Sequence, residues 1–201
     1  MPVIRRAEVA DHPVVAETLA RAFLEDPAWE HLLPDRGDRE RRLRAFFEAE
    51  LRHLAPERLE VWMTDDGDAA AGWAPPGMWA VPIATTIRET AEMTRVFGRR
   101  LPLALRTLLR LERRHPRRPR HWYLHYLGAI PERQGRGLGS ALMRPMLEHC
   151  DRERLPAYLE ASTERNRALY ERHGFDLLDT FDMPGSGPPI RRMWRQPATT
   201  D

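Results

Sequence analysis

The chain of 201 residues has no lysine, one cysteine, and no apolar run approaching membrane-spanning length. With lysine absent, arginine carries all the positive charge, which reads as a bias of coding composition rather than of chemistry. The lone Cys150 excludes an internal disulfide, and its helical spacing marks it as a small buried hydrophobe. The histidines are scattered and the cysteine is alone, so no metal-ligand spacing appears. Net charge is only +2, which is no nucleic-acid footprint. The N-terminus has no signal-peptide pattern, so the expected setting is cytoplasmic, with no membrane partner. Repeats and a second domain are also missing. One domain over residues 1–196 is expected, with 197–201 as a disordered tail. An apolar fraction of 42% is enough for that domain to bury a core and shape a cleft.

The periodicities alternate between strand and helix. Val3 to Ala7 reads as a first strand. Asp11 caps a helix with Val14, Val15, Leu19, Ala22 and Phe23 on one face, ending near Asp26-Pro27. A second helix follows Asp38, with Leu43, Phe46, Phe47, Leu51 and Leu54 inward. Leu59 to Thr64 and Ala69 to Ala74 form a hairpin across Asp65 to Asp68. Residues 80 to 115 read as two helices broken around Gly98 to Pro102. The arginine-rich run from Arg110 to Arg120 is read as a solvated loop rather than a phosphate contact. His121 to Ile130 is the strongest strand, with Gly128 suited to a bulge or a close backbone approach. A helix then carries Leu138, Leu142, Met146, Leu147 and Cys150 on one face, and Pro145 is expected to bend it. Ala157 to Ser162 is a strand, Arg165 to His173 a short helix capped by Gly174, and two last strands flank Gly185-Ser186-Gly187.

One stretch points to chemistry. Gln134-Gly135-Arg136-Gly137-Leu138-Gly139-Ser140 lies between the strongest strand and an amphipathic helix. Glycines at every second position remove side chains where backbone N–H groups approach a ligand, and the helix N-terminus adds its dipole. This makes an anion cradle. A P-loop needs Lys-Ser/Thr after the last glycine, and the dinucleotide fingerprint needs G-x-G-x-x-G; neither is present.

What the stretch resembles is the Q/R-x-x-G-x-G/A pyrophosphate loop of the GNAT superfamily of N-acetyltransferases, with Gln134, Gly137 and Gly139 in the defining places. The order of elements resembles the GNAT fold over nearly the whole chain. The likeness is tightest from Trp122 to Phe175, through Leu127-Gly128-Ala129-Ile130-Pro131, Leu159-Glu160-Ala161-Ser162 and the Asn166 to Phe175 helix. Within the superfamily these motifs look most like the puromycin N-acetyltransferase-like branch. The resemblance implies an α/β fold with a mixed, mostly antiparallel sheet of about seven strands, splayed between the fourth and fifth and flanked by helices. It also implies acetyl-CoA as donor, with no metal, and direct transfer to a primary amine of a small molecule in a ternary complex. A protein or peptide acceptor and a non-catalytic acyl-CoA sensor are the alternatives, and the chain is expected as monomer or homodimer.

Site residues follow on the same terms. A strand bulging at Leu127-Gly128 would open a gap where the backbone of Leu127, Gly128 and Ala129 pairs with pantetheine. The amides from Gln134 through Gly135, Arg136, Gly137, Leu138 and Gly139 to Ser140 would hold the pyrophosphate. Asn166 would contact pantetheine one helical turn before Tyr170. Tyr170 is expected to protonate the leaving thiolate, against a plain core tyrosine under Phe175. Glu160 or His125 is the expected base, directly or through water; Glu160 also reads as an acceptor-binding charge or an anchor, and His125 as a satisfied strand histidine. Asp26 and Trp29 are candidates to hold a cationic acceptor, or else a helix cap and a core ring. Trp73, Met78 and Trp79 line the pocket or fill the core.

Overall fold

A computed structural model describes residues 2–80 and 91–198. The centre is a seven-stranded sheet in the order β1-β2-β3-β4-β5-β7-β6. Its strands are β1 (Ile4–Arg6), β2 (Glu60–Thr64), β3 (Ala69–Ala74), β4 (Trp122–Ala129), β5 (Ala157–Ala161), β6 (Asp176–Asp182) and β7 (Pro189–Arg195). β4 and β5 run parallel; all other neighbours are antiparallel. This is the mixed, splayed sheet expected from the sequence.

The splay is visible in the register. β4 and β5 pair only at Trp122↔Ala157, Tyr123↔Tyr158 and Leu124↔Leu159. From His125 onward β4 pairs only with β3, leaving its other edge open. The irregularity lies elsewhere than expected. Gly72 pairs with Tyr126 while Trp73 pairs with Leu124, so His125 is the extra residue of the bulge and Leu127-Gly128 is in regular register. Gly128 instead serves the close approach that was its other reading. A Cβ there would lie 2.7 Å from the Ala22 Cβ, so the missing side chain lets the helix carrying Ala22 rest on the strand.

Helices cover both faces. One face carries α1 (His12–Ala22), α2 (Pro27–Leu32) and α3 (Arg36–His53), whose Val15, Leu19, Leu32, Leu43 and Phe47 form one core with Val61 and Met63 of β2. A short turn, α4 (Ala55–Arg58), leads into β2. Residues 91–97 are helical and run through a tight turn at Gly98–Arg100 into α5 (Leu101–Arg114). Residues 81–90, the first part of the expected helical stretch, lie outside the described residues. The other face carries α6 (Leu138–Arg152), which buries Leu142, Met143, Met146 and Cys150 against Trp73, Leu124 and Leu159. α6 stays helical across Pro145. The short α7 (Glu164–Glu171) closes the gap side of this core.

Three local expectations change. α2 is an added helix, capped by Asp26, whose carboxylate accepts from the Ala28 and Trp29 amides at 3.0 and 3.4 Å. α3 starts three residues earlier than expected, because Asp35 caps it through the Gly37 amide at 3.1 Å. Asp38 pairs instead with Arg41 and Arg42 on the helix surface. The arginine-rich run is partly packed: Arg110 and Arg114 lie over the Phe181 ring, and His115 and His121 are buried. At the C-terminus the Ala198 amide donates to Asp151, while residues 199–201 of the expected tail lie outside the described residues.

Candidate functional site

The glycine loop joins β4 to α6. Gly135 and Gly137 have φ of +76° and +81°, a region that side chains disfavour, and a Cβ at either would meet nothing within 4 Å. These two glycines are therefore required by backbone conformation, with open space outside them. Gly139 is different: its Cβ would sit 3.3 Å from Leu169, so its smallness brings α6 against α7. Among the described residues, the six consecutive N–H groups from Gly135 to Ser140 donate to no protein acceptor. Loop position, positive helix end and unspent donors together make a ready anion site.

Gln134 contributes architecture. Its Nε2 donates to the Ala129 carbonyl at 3.1 Å and its Oε1 accepts from Arg165 at 3.1 Å, tying the loop to β4 and α7. Ser140 Oγ lies 2.8 Å from His173 Nε2. The exposed loop leads to the open edge of β4 at His125 to Ala129.

α7 borders the gap. Thr163 caps it by accepting from the Asn166 amide, which sets Asn166 one turn before Tyr170. The Tyr170 ring is buried and packs edge-on against Phe175 at 6.0 Å. No protein partner for its hydroxyl is found among the described residues. Burial, and then the nearby Asp26 carboxylate, push the phenol well above its ordinary value, so it stays protonated. Asp26 in turn accepts from Ser162 Oγ at the end of β5. Burial raises this carboxyl, while the Ser162, Ala28 and Trp29 donors oppose the rise. Both its oxygens are thus spent on holding α2 against β5. Trp29 lies in an aromatic cluster, 4.7 Å from Phe46 and stacked on Phe97 at 6.4 Å.

Strand alternation divides the gap by polarity. Leu124 and Leu127 of β4 and Leu159 of β5 join the α6 core, and Tyr123, Tyr126, Tyr158 and Glu160 take the opposite face. The bulge adds His125 to that polar set, its ring 4.1 Å from Tyr126 and 5.1 Å from Tyr123. Glu160 Oε1 accepts from Tyr158 at 2.7 Å, and the Tyr123 hydroxyl faces the same carboxylate. Burial raises the Glu160 carboxyl above its ordinary value, with the two tyrosine hydroxyls pulling the other way. Arg192 backs the arrangement by donating to the Tyr158 oxygen at 3.2 Å.

Sequence reasoning missed Glu50. It lies on α3, its side chain only 9% exposed, and accepts from Tyr126 OH and from His125 Nε2 at 3.4 Å. The readable signal was its place one turn after Phe46 and Phe47, on the inward face, where a carboxylate is out of character. Trp79 and Met78 line a small cavity together with His125, Arg58, Leu59 and Ala74. Trp73 is fully buried core. Among the described residues there is no cluster able to hold a metal and no helix long and apolar enough to cross a membrane.

Comparison with known proteins bears on this geometry. Residues 24–175 match the Acetyltransferase (GNAT) family. An uncharacterized N-acetyltransferase of Schizosaccharomyces pombe is 27% identical over 97% of this chain and 83% of its own length. The crystal structure described as histone acetyltransferase HPA2 and related acetyltransferase from Corynebacterium glutamicum aligns with a TM-score of 0.75 at 26% identity, covering 99% of this chain and 98% of that one. A Drosophila melanogaster polyamine N-acetyltransferase shares the fold, with a TM-score of 0.60 at 17% identity over 98% and 100% of the two chains.

Proposed function

The chain belongs to the acetyltransferase (GNAT) family and is an acyltransferase; from that premise we propose that it carries acetyl groups from acetyl-CoA to the primary amine of a small molecule, with both substrates bound together. The observation that carries the donor half is the row of six unspent amides at the start of α6, beside an unpaired strand edge. A diphosphate fits that row by charge and donor count. The amides of Gly135 to Ser140 would hold it, Gln134 keeping the loop in place, while the open edge of β4 from Leu127 to Ala129 would pair with the amide-rich pantetheine arm. Acetyl-CoA supplies the activated acyl group there.

The chain's own groups then have separable tasks. Asn166 offers a side-chain amide to the donor arm. Tyr170 holds a proton in a dry setting and gives it to the sulfur that leaves. The acceptor enters from the opposite face, between α3 and the polar set of Tyr123, His125, Tyr126, Tyr158 and Glu160. Asp26 acts at one remove, by seating α2 at the mouth; Trp29 fixes the same helix through its aromatic packing. Aromatic rings around a carboxylate suit a compact cationic amine rather than an extended peptide. This is why a small molecule is favoured over a protein acceptor, although the Corynebacterium relative is described as a histone acetyltransferase. The puromycin-type branch and a cytoplasmic setting belong to the same reading.

Thiol release from acetyl-CoA, followed over a panel of small amines and of peptides, tests it. Turnover with at least one small amine and none with peptides is expected. Turnover with peptides alone would move the acceptor assignment to proteins. Tight acetyl-CoA binding with no turnover on either set would make the chain a sensor.

A further inference from the structure

The family and the proposed function leave the base undecided between Glu160 and His125. We infer that Glu50 and His125 form a working pair, in which Glu50 fixes the orientation and tautomer of His125 so that its Nδ1 is the base for the acceptor amine. This rests on the proposed acetyl transfer to an amine.

A carboxylate only accepts, and Glu50 Oε2 already accepts a hydrogen bond from the Tyr126 hydroxyl. The His125 nitrogen facing the same oxygen at 3.4 Å is therefore the one that carries hydrogen. In the neutral ring, Nε2–H leaves a lone pair on Nδ1. The bulge supplies the reason for the placement. The extra residue opposite Gly72 and Trp73 lets two consecutive side chains, His125 and Tyr126, both face Glu50, where strict alternation would turn one of them to the α6 face. His125 keeps 20% of its side chain exposed and lines a small cavity with Met78 and Trp79, so its ring is open to solvent on that side.

Glu160 is less free to act. Its Oε1 already accepts from Tyr158 at 2.7 Å, and it does not line the cavity that His125 shares with Met78 and Trp79. The charged and titratable groups around His125 are Glu50 from α3, Tyr123 and Tyr126 on its own strand, Glu160 and Tyr158 from β5, His115 after α5, and Arg58 lining the same cavity. Of these, Glu50 alone both touches the ring and carries a charge that stabilises an imidazolium. In the step itself an ammonium N–H bond breaks and the Nδ1–H bond forms. The amine keeps the electron pair it needs for attack, and the imidazolium, paired with Glu50, later releases its proton to water.

Two measurements test the pair. Histidine nitrogen NMR of the free protein is expected to show His125 as the Nε2–H tautomer; finding the Nδ1–H tautomer overturns the inference whatever the activity. In kinetics, Glu50→Gln is expected to lower kcat by about tenfold or more, with the KM for acetyl-CoA unchanged. Glu50→Asp, which keeps a carboxylate near the ring, restores part of the loss. The Glu50→Gln, His125→Ala double variant should be no slower than His125→Ala alone. No recovery in Glu50→Asp, or losses that multiply in the double variant, would reject the pair. If no amine is acetylated at all, the functional reading fails, and the tautomer measurement still decides the pairing.

Discussion

The phenol of Tyr170 has its ring packed on Phe175 and its hydroxyl without a partner among the described residues, which separates packing from chemistry. Tyr170→Phe keeps the ring and removes only the proton. The expected outcome is a fall in kcat of about 100-fold or more, with a melting temperature within a degree or two of the parent. A large drop in melting temperature with kcat preserved would return Tyr170 to the core. Candidate side chains stand out in sequence where a residue type is unusual for its position, as with a tyrosine and an asparagine one turn apart, or a glutamate inside the strand Ala157–Ala161. Glu50 was not legible in that way. It sits in a helix rich in charge, where one more carboxylate carries no signal until its neighbours fix its face. Asp26 shows the reverse case. Its acidity suggested a ligand contact, yet Ser162 and two amides occupy its oxygens.

Short elements hide from periodicity. α2 has six residues, too few for a 3.6-residue repeat to declare itself, and only the Asp26-Pro27 start betrays it. The bulge at His125 hid for another reason: it is a property of two strands in register, and β4 read alone pointed to its glycine. What holds the short elements over the mouth is Arg39. Its guanidinium is buried and donates to the carbonyls of Leu33, Leu24 and Pro34, and to Glu30 at 3.1 Å. Arg39→Leu leaves those buried carbonyls unpaired, a cost of about 3–5 kcal/mol. A fall of that size in urea unfolding, together with a raised KM for the acceptor and a smaller change for acetyl-CoA, is the expected pattern. An equal rise in both KM values would place the effect on the whole fold.

Across the molecule, buried histidines set the response to acid. His115 is held down to about 3, first by burial and then by the neighbouring His121, His125 and Arg192. Burial also lowers His121, His12 and His173. A folded-state value below the unfolded one near 6.5 means that stability is complete above that pH and is lost as pH falls toward 3. Asp26 and Glu160, raised by burial, act in the opposite sense on acidification, so the net slope is smaller than the histidines alone would give. His115→Phe isolates one contribution. Between pH 6 and pH 4.5 the unfolding free energy of the parent should fall faster than that of the variant, by about 1.4 kcal/mol per pH unit. Equal slopes in urea titrations would show that His115 is protonated without penalty in the fold. The overall architecture was legible because long apolar periods specify it, and the mixed, splayed sheet followed from the resemblance; the packing of His115 and His121 was not, since it depends on Tyr158 of β5 closing over them. The short border between β4 and β5 has one more consequence. Among the described residues only three pairs hem the two panels of the sheet together, and the rest of that border is an open slit. A molecule threaded along the slit becomes a stitch, so saturation with acetyl-CoA should slow amide exchange at Leu159 to Ala161 far more than at Val61 to Met63. The donor would then be mechanical fabric for the fold as well as fuel for the reaction, and each turnover would loosen the seam that the next donor closes.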